Sequence, residues 1–195
     1  MYIWPTYLRN DYSMVRQAYI ILGMPGAGKD TQTELLARKL DAALIKSGDI
    51  ARQYAKTNTE VAHMLQNGEL IDSTIMNQAI ENTVLQPKCK PVIVFDGFPR
   101  ERSQAVWLGK MLRENNVQLM MVFYLKITPQ TALERLLGRK RADDKEAVIR
   151  HRLDVFEAAT VPVVQYYGDH GLLVEVNGEG SIQEIHKTIM EDIPC

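Results

Sequence analysis

The stretch Gly23–Gln32, GMPGAGKDTQ, is the most informative segment for the fold, because it follows the apolar run AYIIL and opens the helical pattern TELLARKL. Its spacing, G-x-x-x-x-G-K, is typical of a phosphate loop between a strand and a helix. Glycines let backbone N–H groups converge on phosphate oxygens, and the positive end of the following helix points at the same place. A tight turn alone would explain the glycines. The Gly-Lys pair between a strand and a helix favours phosphate binding.

Asp30 follows the loop lysine, at the position where the common pattern has the Ser or Thr that binds magnesium. A carboxylate there carries negative charge towards the phosphates. It can turn to the first turn of its own helix, where the dipole favours an anion by about 0.3–1 kcal/mol. It can also reach magnesium directly or through water. We favour the metal role, which leaves Thr31 to approach the inner phosphates.

Composition excludes several classes of partner. The chain has 195 residues and a net charge of -1, so no overall field attracts nucleic acid or an anionic membrane. Cys89 and Cys195 are the only cysteines, too few for a disulfide framework or a four-thiolate zinc site. The longest apolar run, Leu119–Leu125, is far shorter than the about 20 residues of a membrane helix. We expect a cytoplasmic protein without nucleic-acid or membrane partners.

Short runs rich in Val, Ile and Leu alternate with longer helical patterns, which predicts an α/β fold with a parallel sheet and crossover helices. Five strands are expected near Tyr19, Ala42, Val92, Met120 and Leu172. The helical patterns cover Thr31–Leu40, about Asp49–Asn67, Ser73–Leu85, Arg102–Asn115, Pro129–Leu137, Asp144–Tyr167 and Ser181–Ile193.

The first 13 residues match no element of this pattern, and Met14 stands just before the first strand. We therefore expect residues 1–13 to be an extension and residues 14–195 to form one domain.

A second motif, VIVFDGFPRERSQA (Val92–Ala105), ends an apolar strand in Asp96. The carboxyl edge of a parallel sheet places that side chain beside the phosphate loop, where aspartates commonly hold magnesium, often through water. Taken alone, Asp96 would equally suit a helix cap or a turn. The following Gly97, Pro99 and Arg100 form a turn that presents a guanidinium.

The segments GMPGAGKDTQ, SGDIARQ, DGFPRERSQA, RLLGR and RADD…RHRL together resemble the adenylate kinase family of nucleoside monophosphate kinases. The resemblance extends from Ala18 to about Ile193. It implies a P-loop kinase-type, doubly wound, five-stranded parallel sheet with helices on both faces. It also implies a helical insert that binds the monophosphate, about residues 47–76, and a short lid, about residues 138–144.

The resemblance implies reversible transfer of the terminal phosphoryl group of MgATP to AMP, giving two ADP, by a monomer. The residues that match ATP-binding positions are Gly26, Ala27, Gly28, Lys29, Asp30, Thr31, Arg135, Arg139 and Gly180. Those that match AMP-binding positions are Ser47, Arg52, Glu69, Leu70, Ile71, Gly97, Arg100, Gln104, Arg141 and Arg152. The catalytic cations would be Lys29, Arg100, Arg139, Arg141 and Arg152.

The residue chemistry agrees with these roles. Phosphoryl transfer needs two anionic substrates held in line and their charge neutralised, rather than a nucleophilic side chain. Arg135 and Arg139 are four residues apart and share a helix face. The Gln104 amide carries both a donor and an acceptor, which suits the amino group and ring nitrogen of adenine.

The lid departs from the long form of the family, since only Lys140 separates Arg139 from Arg141. We therefore expect no structural zinc there, and Mg²⁺ as the only metal. Three alternatives stay open at this point. The protein could prefer CMP or UMP, could be another small-molecule kinase built on the same loop, or could bind nucleotide without catalysis.

Overall fold

The computed structural model describes residues 15–86, 90–139 and 145–194. Its strands are β1 (Arg16–Gly23), β2 (Ala43–Lys46), β3 (Val92–Asp96), β4 (Val117–Lys126) and β5 (Leu173–Asn177). They pair in parallel in the order β2-β3-β1-β4-β5. The expected five-stranded parallel sheet is confirmed.

Helices connect these strands and cover the sheet. They are α1 (Lys29–Lys39), α2 (Ser47–Ala55), α3 (Thr59–Asn67), α4 (Ser73–Val84), α5 (Arg102–Glu114), α6 (Pro129–Arg139), α7 (Glu146–Val155), α8 (Val161–Asp169) and α9 (Ile182–Glu191). A π-helical turn (Phe156–Thr160) joins α7 to α8.

Strand β1 shows why both faces of the sheet need cover. Its side chains alternate, so that Ala18, Ile20 and Leu22 enter one core while Tyr19 and Ile21 enter the other. Helices α4, α5 and α8 supply the first core, and α1 and α9 supply the second. A strand buried on both faces must be apolar throughout, which is why β1 reads as a continuous apolar run.

The strand order creates a crevice at the carboxyl edge of the sheet. From β1 the chain continues through α1 towards β2, whereas from β3 it continues through α5 to β4 on the other side of β1. The loops after β1 and β3 therefore diverge, and ligands of such sheets bind where they part. Ile21 pairs with Asp96 in the register, so that carboxylate lies beside the phosphate loop.

One predicted helix, Asp49–Asn67, is wrong, because two helices stand in its place. Helix α2 ends at Ala55, and Asn58 caps α3 with a side chain that accepts from the N–H groups of Glu60 and Val61. An asparagine that satisfies free N–H groups in this way starts a new helix rather than continuing the old one.

The continuous helix predicted over Asp144–Tyr167 is also wrong. Helix α7 gives way at Phe156 to the π-helical turn, and α8 starts at Val161. Pro162, in the first turn of α8, has no N–H to donate and its ring clashes with the carbonyl four residues earlier. The wider π turn accommodates that defect.

Three expectations fall outside the described residues: the extension over residues 1–13, the side chain of Arg141, and most of the lid. Among the residues that the structure describes, no helix has the length and apolar character needed to cross a membrane.

Candidate active site

A cleft of about 610 Å³ opens at the crevice between the loops after β1 and β3. Helices α2 and α3 form one wall, and α6, α7 and the π-helical turn form the other. The predicted site residues that line it are Gly26, Gly28, Lys29, Asp30, Thr31, Ser47, Arg52, Glu69, Leu70, Ile71, Asp96, Gly97, Arg100, Gln104, Arg135, Arg139 and Arg152. A cleft of this volume is of the size that binds small molecules.

Among the predicted site residues that the structure describes, two do not line the cleft. Ala27 is buried in the core beneath the loop, with 1% of its surface exposed. Gly180 lies in the exposed turn between β5 and α9. That turn is tied to the cleft, because Arg135 Nη1 donates to the carbonyl of Gly178 at 3.0 Å.

The phosphate loop requires glycine at Gly26. Its φ is +87°, in the left-handed region, and a Cβ there would lie 2.9 Å from the carbonyl oxygen of Ala132. Gly28, at φ 86°, is the N-cap of α1 and makes no side-chain cap. The N–H groups at the start of α1 are therefore left for an anion, and the helix dipole adds to that attraction.

Lys29 lies at the centre of the cleft and holds the loop. Its Nζ donates to the carbonyls of Gly23 at 2.7 Å and Met24 at 3.1 Å. Surrounding protein atoms withdraw the ammonium from bulk water and lower its pKa to about 8. Asp96 and Asp30 oppose this shift, whereas Arg100 and Arg139 add to it.

Asp96 is a buried carboxylate, 5% exposed, which accepts a hydrogen bond from Thr33 Oγ1 at 3.2 Å. Burial raises the pKa of Asp96 to about 6, against the lowering effect of Lys29. Asp30 raises it further, through its charge and through a hydrogen bond between the two side chains. The carboxyl groups of Asp30 and Asp96 therefore lie close together near the start of α1.

This pair fits magnesium in its chemistry, since Mg²⁺ prefers carboxylate and phosphate oxygens and retains several waters. A bound cation would also relieve the repulsion between two neighbouring carboxylates. Within residues 15–86, 90–139 and 145–194, no group of three or more His, Cys, Asp or Glu side chains forms a metal site. Nucleotide phosphates and water would have to complete the coordination.

Backbone contacts position the turn that follows β3. Gly97 has φ +64°, and a Cβ there would lie 3.4 Å from Ser47 Oγ and 3.6 Å from the Arg100 guanidinium. Ser47 Oγ donates towards the carbonyls of Asp96, at 3.1 Å, and Gly97, at 2.9 Å. Arg100 Nε donates to the Gly97 carbonyl at 2.9 Å. These bonds hold the guanidinium over the floor of the cleft.

Three further arginines surround this floor. Arg52 Nη2 pairs with Asp49 Oδ1 at 2.5 Å on the exposed side of α2. Arg152 packs its side-chain stem against Gly68, where a Cβ would lie 2.9 Å from Arg152 Cγ. Arg139, in the last turn of α6, lines the cleft one turn after Arg135, which confirms that these two share a face.

The Gln104 amide already has two partners within the protein. Its Oε1 accepts from the Arg100 backbone N–H at 2.8 Å, and its Nε2 donates to Ser73 Oγ at 3.1 Å. A primary amide has a second lone pair and a second proton. Gln104 can therefore still offer one acceptor and one donor position to a base in the cleft.

Three residues near the site were not predicted from the sequence. Thr33 contacts Asp96, Thr160 Oγ1 donates to the Arg100 carbonyl at 3.0 Å, and Lys46 lines the cleft while pairing with Glu34 at 2.5 Å. The helical spacing of Thr33 after Lys29 offered a signal, because residues four apart share a face. No local pattern distinguishes Thr160, which lies in the π-helical turn.

Comparison with known proteins agrees with this geometry. The model of the family described as "Adenylate kinase" matches residues 21–172. The adenylate kinase of Kocuria rhizophila is 37% identical over 179 residues, covering 88% of this chain and 95% of its own length. The adenylate kinase of Pseudarthrobacter chlorophenolicus is 34% identical over 182 residues, covering 89% of this chain and 95% of its own length. Adenylate kinase 1 of a Nostoc species is 36% identical over 170 residues, covering 85% of this chain and 92% of its own length.

Proposed function

This chain belongs to the adenylate kinase family, and from that premise we propose how its cleft performs the reaction. The protein is a nucleoside monophosphate kinase, an ATP:AMP phosphotransferase, and it interconverts MgATP and AMP with two ADP.

The observation that carries the proposal is the convergence of cations on one cleft. Lys29, Arg100, Arg139 and Arg152 come from four separate elements and all line it. Burial lowers the pKa of Lys29, and Arg100 and Arg139 lower it further, so these three charges are close enough to repel each other. Two substrates with several phosphate charges would relieve that repulsion. Such an arrangement suits phosphoryl transfer, in which charge on the transferred group must be neutralised.

The proposed residues divide into two groups. The ATP group is Gly26, Ala27, Gly28, Lys29, Asp30, Thr31, Arg135, Arg139 and Gly180. The AMP group is Ser47, Arg52, Glu69, Leu70, Ile71, Gly97, Arg100, Gln104, Arg141 and Arg152. Ala27 and Gly180 would act through backbone groups, because their side chains do not line the cleft. Arg52 would exchange Asp49 for the AMP phosphate.

Asp96, through water, and Asp30 would hold magnesium beside the loop. When bound, Mg²⁺ would offset the negative charge of the phosphate oxygens. The proximity of Asp30 to Asp96 supports this role, because two neighbouring carboxyl groups could share one cation.

We expect Asp30→Asn to need more magnesium for half-maximal rate, because the amide loses the negative charge that attracts the cation. AMP affinity should change little. A magnesium titration at saturating nucleotide measures the shift. Asp41→Asn is the matched control, since Asp41 pairs with Lys90 and does not line the cleft. A curve for Asp30→Asn that superimposes on the unmodified protein's curve would reject the metal role.

We expect the affinity for ATP to fall as pH rises through about 8. The Lys29 pKa of about 8 means that the ammonium is charged below this pH and loses its proton above it. Triphosphate binding favours the charged form, so above pH 8 binding must take up a proton and weakens by at most about tenfold per pH unit. The facing groups that set this balance are Asp96, Arg100, Asp30 and Arg139.

Calorimetric titrations with a non-hydrolysable ATP analogue between pH 7 and 9.5 measure this dependence. Lys29→Arg is the control, because a guanidinium keeps its charge over the whole range. Unmodified protein whose affinity stays level across this range would contradict the expectation.

Turnover of each monophosphate with MgATP tests the function itself. AMP should give the highest kcat/KM, because Gln104 still offers one donor and one acceptor to the base. Leaving those buried groups unpaired costs about 1–3 kcal/mol, which favours AMP over CMP and UMP by tens of fold. Higher kcat/KM with CMP or UMP would assign the protein to the pyrimidine-preferring relatives.

We also propose that the protein acts as a monomer in the cytoplasm. A content of two cysteines supports a reducing compartment. Small-molecule nucleotides are the only partners that the proposal requires.

A further inference from the structure

A relay of three side chains joins α4 to the start of α5 beside the cleft. Gln104, 3% exposed, donates from Nε2 to Ser73 Oγ at 3.1 Å. Ser73 Oγ in turn donates to the Glu101 carboxylate. At its other end the Gln104 amide accepts from the backbone N–H of Arg100 at 2.8 Å.

This relay has only one possible direction. A carboxylate accepts and a backbone N–H donates, so Glu101 fixes the Ser73 proton and Arg100 fixes the position of Gln104 Oε1. If the Gln104 amide were flipped, its Nε2 would face the Arg100 N–H, and two hydrogen-bond donors would oppose each other. Oε1 would then face a hydroxyl whose proton is already given to Glu101. Ser73 and Arg100 therefore impose the same orientation.

Neither Ser73 nor Glu101 is needed to cap its own helix. Asp72 caps α4, with a side chain that accepts from the N–H groups of Thr74 and Ile75. Glu101 is the N-cap residue of α5, but its side chain makes no capping hydrogen bond. Instead, the Ser73 hydroxyl contacts the Gln104 amide, and the Glu101 carboxylate contacts the Ser73 hydroxyl.

We propose that Ser73 and Glu101 are positioning residues that lock the Gln104 amide so that the site accepts adenine and rejects 6-oxopurines. The proposal rests on the proposed function, in which Gln104 contacts the base of the monophosphate. Adenine offers an amino donor and the N1 acceptor, which match the remaining acceptor and donor of the locked amide. Hypoxanthine offers an O6 acceptor and an N1–H donor, which would match only the reversed amide.

The test compares AMP with IMP, which differ at the base only in these two groups. We measure kcat/KM for each, with MgATP, in unmodified protein, Ser73→Ala, Glu101→Gln and Ser73→Thr. Ser73→Ala removes the hydroxyl at the centre of the relay. Glu101→Gln places an amide beside Ser73 that can donate to the hydroxyl, so the Ser73 proton is no longer held by residue 101. We expect the AMP-to-IMP ratio of kcat/KM to fall by about tenfold in Ser73→Ala and in the same direction in Glu101→Gln.

Ser73→Thr keeps the hydroxyl and should retain the ratio within about twofold. A merely structural defect would lower kcat/KM for AMP and for IMP by the same factor and leave their ratio unchanged. An unchanged ratio in Ser73→Ala or in Glu101→Gln, with AMP still turned over, overturns the inference. Each variant suffices alone if the other does not fold. Unmodified protein that failed to phosphorylate AMP would instead refute the proposed function.

Discussion

Arg139→Ala should lower kcat by on the order of 10³-fold while the protein stays folded. Arg139 lies in the last turn of α6, lines the cleft and is close enough to Lys29 to lower its pKa. In the proposed role, this cation would act on charge that develops on the transferred phosphoryl group and its bridging oxygens. Its loss should therefore weaken the transition state more than the ground-state complexes.

Steady-state kinetics with MgATP and AMP measures this effect, and thermal unfolding checks the fold. The main change should appear in kcat, with KM for both nucleotides altered by a much smaller factor. Arg150→Ala is the matched control, because Arg150 pairs with Glu146 on the exposed face of α7 and does not line the cleft. A folded Arg139→Ala protein with near-normal kcat would remove Arg139 from the catalytic group.

Lys29→Met should lower kcat/KM for MgATP by about 10²–10³-fold, as does loss of other groups that stabilise developing charge. Lys29 is the cation nearest the loop glycines, and its Nζ binds the carbonyls of Gly23 and Met24. In the proposed role, that ammonium would also contact the outer phosphates of bound nucleotide, a contact that the uncharged methionine side chain cannot replace.

Lys29→Met loses the two hydrogen bonds to the loop carbonyls, but the fold should still form, because burial already disfavours the charge of Lys29 and methionine fills a similar volume. Lys29→Met should therefore lower kcat/KM strongly while the melting temperature changes little. Lys39→Met, at the exposed end of the same helix, serves as the control for changes in net charge. If Lys29→Met lost kcat/KM only in proportion to lost folded protein, the lysine would be structural rather than catalytic.

The elements that the sequence predicted share one property, since their signals are local. Five apolar runs of strand length predicted five strands, because a sheet covered on both faces requires apolar side chains at successive positions. The break at Asn58 also has a local signal, an N-cap residue followed by Glu60, but the continuous helical periodicity over Asp49–Asn67 masks it. The π-helical turn has a weaker local signal in the sequence, because a proline such as Pro162 can interrupt a helix in several ways.

The details of the site depend on contacts between residues far apart in the chain. Thr160 and Arg100 are 60 residues apart, Ser47 and Gly97 are 50 apart, and Ser73 and Gln104 are 31 apart. No periodicity within a window of helical or strand length records such pairs. The resemblance to a family supplied Ser47, Arg100 and Gln104, but neither Ser73 nor Thr160.

The phosphate loop and the parallel sheet can therefore be predicted from local backbone preference, periodicity and motif, and the resemblance to a family supplies the set of arginines. The packing of distant segments sets which charges surround Lys29, that Asp30 lies beside Asp96, and which way the Gln104 amide points. The physical reason is that desolvation, Coulomb energy and hydrogen-bond direction depend on distances in space. Those distances are set when β1, β3 and the helices around them pack together.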